Sequence, residues 1–149
     1  MGLSCSDKND QSGKTAVNDL PKTYQEKSGK ELIQMRCYAC HNPVSVSHEE
    51  IIAPPMAAVK MRYSRAYPSK ESFEDALVSW AMDPKPENAL MWGALQRFKV
   101  MPKQEFDENE IRKIASYIYD NELPVPDWFD AHQSKMHGMG RAMRKGASW

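Results

Sequence analysis

The chain has 149 residues, 41% hydrophobic and 27% charged, which suits one small globular domain with extensions. Lys plus Arg equals Asp plus Glu at 20 each, so net charge gives no indication of nucleic-acid binding, and no apolar run approaches the roughly 18 residues that a membrane-spanning helix needs. Three cysteines are too few for a four-thiolate iron–sulfur site, and a single Cys-x-x-Cys pair is too little for a four-cysteine zinc site.

The opening residues, MGLSCSDKNDQSGK, carry neither the basic n-region nor the apolar h-region of a secretory signal. Met1-Gly2-Leu3-Ser4-Cys5-Ser6 satisfies the formal myristoylation pattern. Leu3-Ser4-Cys5 instead resembles the end of a bacterial lipoprotein signal, with Cys5 as the lipidated residue and the leucine one place too near. An unmodified, disordered start is the third reading. Residues 1–21 are expected to be a flexible linker, 22–126 the folded domain, and 127–149 a flexible or loosely docked tail.

Within the domain, Thr23 with Glu26, or Ser28 with Glu31, offers a capping box for a helix through KELIQMRC. Gly29 is out of place at such a helix start, since glycine costs about 1 kcal/mol in a helix interior. The loop HNPVSVSHEEIIAPPM follows, kept irregular by Pro54-Pro55. Residues 58–63 suggest a short helix. Residues 71–82 form a strongly amphipathic one, with Phe73, Ala76, Leu77 and Trp80 on one face. Pro86 suits the first turn of a further helix through 87–98, with Leu90, Met91, Ala94, Leu95 and Phe98 inward. Asp107 and Glu110 make a capping box for the last helix, whose stripe is Ile111, Ile114, Ala115 and Ile118. No strand signal is present, so the fold class is all-α, three to five helices with long loops. Four short helices and such loops give a thin core, and some further group must fill the middle.

The sequence CYACH at 37–41 names that group. Two thiols two residues apart, at a helix end, match the two vinyl groups of a haem, and a histidine directly after the second thiol is held where it binds iron. The competing readings are weaker. His41 and His48 lack zinc-finger spacing, and a thioredoxin-type pair expects a βαβ setting. The second axial ligand falls to Met101, 60 residues after His41 in the break before the last helix. His/Met ligation raises the reduction potential. Met82, Met91, Met136 and Met139 are the competitors.

With these residues in hand, the chain resembles a class I c-type cytochrome over roughly residues 22–122. The resemblance rests on Gly29, CYACH, IAPPM, Met101-Pro102 and IRKIASYIYD. It implies a cytochrome c-like fold around one covalent haem c held by Cys37, Cys40, His41 and Met101. It also implies that first and last helices cross where Gly29 meets Tyr117, beside Ile33, and that the Pro54 carbonyl accepts the proton of the His41 far nitrogen, Pro55 being the neighbour.

The two helices with Trp80 and Trp92 are more than the smallest members have. The tail DWFDAHQSKMHGMGRAMRKGASW, net +3 from Trp128 on, matches no known pattern. Its histidines and methionines are ligands of the kind copper takes, and its basic end is the kind of patch a partner docks on.

The expected function is single-electron transfer between redox partners of a respiratory chain, through a haem edge left open near Tyr38 and Ala39. The protein is not expected to be an enzyme, though it can serve as subunit or donor of an oxidoreductase. The rival is a five-coordinate haem protein that binds a gas, with Met101 unbound and His48 nearby. A zinc-binding interaction module is the third reading. Thioether haem is matured outside the bacterial cytosol, so the resemblance places the chain on the periplasmic face, with a lipid on Cys5 as membrane anchor.

Overall fold

Ser28 starts the first helix through two reciprocal hydrogen bonds. Its hydroxyl accepts from the Glu31 backbone N–H at 3.3 Å, and the Glu31 carboxylate accepts from the Ser28 N–H at 2.8 Å. Those bonds also hold the Glu31 carboxyl below its ordinary range. The computed structural model describes residues 26–136, and in it this helix, α1, spans Gly29–Arg36. Cys5, the 1–21 linker, Thr23 and Met139 lie outside the described residues.

Five more helices follow: α2 (Met56–Ala66), α3 (Lys70–Met82), α4 (Trp92–Phe98), α5 (Glu108–Asp120) and α6 (129–136). Among the described residues there is no strand, so the all-α expectation holds. No described helix is long and apolar enough to cross a membrane.

Two helices differ from their sequence patterns. α2 is nearly twice the expected length because Pro55, fixed near a helical φ at -54°, takes the N-cap and its carbonyl accepts from Ala58 and Val59. The helix expected over 87–98 is instead a short 3-10 turn, Pro86–Asn88, then a break, then α4. Pro86 initiates only the 3-10 turn. The Leu90 carbonyl is drawn off by the Arg62 Nε at 3.2 Å, and Met91 sits at φ -110°, ψ 75°.

At α5, the Asp107 carboxylate accepts from the Glu110 N–H at 3.1 Å, as its spacing indicates. The return arm of that capping box is not made. Glu110 instead binds the Arg36 guanidinium of α1, at 2.9 and 2.8 Å. Asp107 therefore carries the cap alone. Asp107→Ala is expected to cost about 1 kcal/mol in denaturant unfolding, with no change in any visible spectrum of the protein.

Helix α5 is the spine, packing on α1, α3 and α2. Leu32, Ile33, Phe73, Ile114 and Ile118 are the fully enclosed side chains. The α1–α5 crossing is tight at Gly29. A Cβ built there would lie 2.6 Å from the Tyr117 Cβ and closer still to the Lys113 carbonyl oxygen. Lys60 of α2 reaches the far end of α5, donating to the Tyr119 and Asn121 carbonyls at 3.0 and 2.6 Å, where the helix dipole favours a cation.

Over 127–136 the tail is docked. Phe129 is 4% exposed, and the Trp128 indole N–H donates to the Ser45 carbonyl at 3.0 Å. Burying one large aromatic ring contributes about 2–3 kcal/mol, enough to dock a short segment. Residues 137–149 lie outside the described residues.

Candidate functional site

The C-terminal end of α1 delivers the thiols. Cys37 caps the helix with its N–H on the Ile33 carbonyl at 3.0 Å, and the chain continues as one further turn. In that turn the Cys40 and His41 N–H groups both point to the Cys37 carbonyl, at 3.2 and 2.9 Å. Cys37 and Cys40 are thus one turn apart, and the next residue is the histidine.

Cys37 is half-buried and Cys40 exposed, both as free thiols. Burial, and then the Cys40 sulfur beside it, pushes the Cys37 thiol up to about 12. Among the described residues no three His, Cys, Asp or Glu side chains converge into a metal site.

His41 is oriented from behind. Its Nδ1 donates to the Pro54 carbonyl at 2.6 Å, which leaves Nε2 as the nitrogen with a free lone pair. Pro55 is excluded from this role because its carbonyl is already spent on the first turn of α2. Burial pulls the His41 pKa below its ordinary value, against the opposing Pro54 bond. The imidazole is therefore held neutral, in its ligating form.

Val59, Trp80, Met82, Leu90, Met101 and Leu123 pack on the core while staying half-buried, and no side chain of α4 is buried. The core thus keeps a partly covered apolar surface, and one oriented imidazole with two thiols one turn apart is the donor set that a covalently attached, largely apolar macrocycle takes.

Met82, Met91 and Met101 are all half-buried, and Met136 is 57% exposed. Met101 stands apart in its backbone. It lies outside any helix, two residues after Lys99, the one non-glycine residue with positive φ (68°, ψ -175°) among the described residues. That region belongs almost entirely to glycine and costs on the order of 1–3 kcal/mol for other residues. Lys99→Gly is accordingly expected to stabilise the fold by about 1 kcal/mol in thermal unfolding. The same variant also loosens the loop that carries Met101.

Tyr38 is half-buried, while Ala39 is exposed beside Cys40. His48 is occupied elsewhere. It sits among Arg97, Trp128 and His132, a cluster that periodicity could not reveal because its members are 49, 80 and 84 residues away along the chain. Trp80 and Leu90 line a recess of about 430 Å³ with Tyr63, Tyr67 and Trp92.

The family model described as Cytochrome c matches residues 26–121. No curated protein and no solved structure matches the chain.

Proposed function

Since the chain belongs to the cytochrome c family, whose cofactor is covalently attached haem c, we propose that it is a mono-haem electron carrier with His41 and Met101 as axial ligands. Cys37 and Cys40 would supply the two thioether sulfurs, and His41 would ligate the iron through Nε2. Pro54 sets the ring and keeps its proton on Nδ1. When bound, the haem supplies a one-electron ferrous/ferric couple. A neutral imidazole with its far N–H tied to a carbonyl is a stronger donor than a free one. The thioether of Met101, a soft neutral donor, favours the reduced state.

The observation that carries this reading is the 2.6 Å bond from His41 Nδ1 to Pro54. It keeps the proton on Nδ1 and leaves Nε2 of a Cys-x-x-Cys-His histidine as the nitrogen free to ligate. The exposed stretch at Ala39 and Cys40 is the natural place for a redox partner to approach. We further assign the chain to a respiratory chain on the periplasmic side, held to the membrane by a lipid on Cys5. Support for that placement comes from the maturation chemistry of thioether haem and from the Leu3-Ser4-Cys5 pattern.

The five-coordinate rival gains nothing from His48, whose ring is engaged by Arg97 and His132. Expression in a host that matures c-type haem tests the proposal. The expected product is red, with the mass of one added haem and a low-spin oxidised spectrum bearing the weak red-end band of a methionine ligand. A colourless protein of unshifted mass overturns the reading. A high-spin spectrum that takes up carbon monoxide at once transfers it to the rival.

A further inference from the structure

His48 opens a one-turn 3-10 helix, His48–Glu50, in the loop that joins His41 to Pro54. Three other elements meet on its ring. From α4, the Arg97 Nη1 lies 2.7 Å from Nδ1 and 2.6 Å from Nε2, while Nη2 donates to the His48 carbonyl at 2.5 Å. From α6, the His132 imidazole stacks on it, centroids 4.1 Å apart and planes 22° from parallel. Trp128, just before α6, meets the His48 ring edge-on at 5.2 Å and anchors to the Ser45 carbonyl. Among the described residues the ring's acidic neighbour is Glu49, 3.7 Å from Nδ1 and 83% exposed on its side chain.

The Arg97 Nη1 is about equally close to both ring nitrogens, one of which bears a proton in either neutral tautomer, so it meets the ring as a charge and not along one lone pair. A neutral His48 ring tolerates that charge. An imidazolium there puts two positive charges within a few ångströms, opposed among the described residues by the solvent-facing Glu49 carboxylate.

We propose that α6 is a proton-sensitive clasp: docked on the His41–Pro54 loop while the His48 ring under His132 is neutral, and released when His48 takes up a proton. Burial, then His132, then Arg97 hold the His48 ring below its ordinary pKa, with Glu49 opposing. The sign follows from that direction. A histidine whose pKa is lower when docked stabilises docking fully above its ordinary value, and that stabilisation is lost as pH falls below it. The clasped loop runs between the ligating histidine and the carbonyl that orients it, so release frees the stretch that sets their approach.

Hydrogen exchange on the full-length holoprotein tests the clasp. Between about pH 8 and pH 5, after correction for intrinsic exchange, protection of 128–136 is expected to fall by up to about tenfold per pH unit for each coupled proton, while protection in α5 stays constant. His132→Phe keeps a stacking ring, and His48→Gln keeps an acceptor for Arg97. Together they are expected to give a flat profile with the segment still protected. Equal wild-type protection at both ends of the range overturns the proposal, as does an unchanged profile in the double variant.

If the double variant leaves 128–136 unprotected throughout, the wild-type ring resonances decide. A His48 titration that moves the α6 signals in the same step supports the clasp, and one that leaves them unmoved overturns it.

Discussion

Gly29→Ala is expected to destabilise the protein by about 2–3 kcal/mol, although alanine is the better helix former by close to 1 kcal/mol. On an isolated helix the substitution would be neutral or favourable, so the sign of the change reports the crossing. The added methyl carbon meets the Tyr117 Cβ at 2.6 Å and presses on the Lys113 carbonyl oxygen. Neither obstacle is the movable end of a side chain, because one is backbone and the other is a Cβ. Relief therefore requires α1 to move away from α5.

That motion opens the contact between Ile33, which is fully enclosed, and the Ile114–Ile118 stripe. It also displaces Cys37, which is anchored through the Ile33 carbonyl. Denaturant unfolding of the holoprotein measures the loss, and Gly29→Val is expected to lose more. A stability within 0.5 kcal/mol of wild type, less than ordinary core overpacking costs, would show that the helices do not cross at this glycine.

Much of the framework was legible because its signals are local. Ser28 and Glu31 are three residues apart, and each contributes half of a cap that forms before any tertiary contact is needed. The stripes of α3 and α5 read directly from period 3.6, and the buried set Phe73, Leu77, Ile111, Ile114, Ala115 and Ile118 follows them. CYACH is likewise local, so its turn geometry is a property of five residues.

Gly29 was legible for the opposite reason: it violates local preference, and such violations mark a tertiary demand. What escaped depends on distant partners. Glu110 abandons its capping box for Arg36, because a guanidinium across the helix crossing outcompetes a backbone N–H already close to solvent. α4 is cut short by an arginine 28 residues upstream. How the tail docks was not legible because Trp128 and His132 stand isolated in it, and their receptors, Ser45 and His48, lie in a loop with no periodicity of its own.

Met101→Ala is expected to leave the haem attached and the fold intact while lowering the reduction potential by on the order of 100 mV, within the roughly 0.8 V that axial ligands command. The sixth position then passes to water, the weak red-end band of the oxidised form disappears, and exogenous ligands bind. Met82→Ala and Met91→Ala are the controls that give this result its meaning. Both side chains are half-buried like Met101, so burial alone cannot rank the three. Met82 is the last residue of α3, and its truncation should cost about 2–3 kcal/mol of packing with the spectrum unchanged. Met91 caps α4, and its loss should be smaller still.

The physical distinction lies in the backbone. Lys99 holds a glycine-only conformation two residues before Met101, and backbone strain of this kind clusters at ligand-holding segments. A helix-borne methionine needs no such distortion. Should the band persist in Met101→Ala and vanish in Met91→Ala, the strain at Lys99 serves some other end, and the iron is bound from the start of α4.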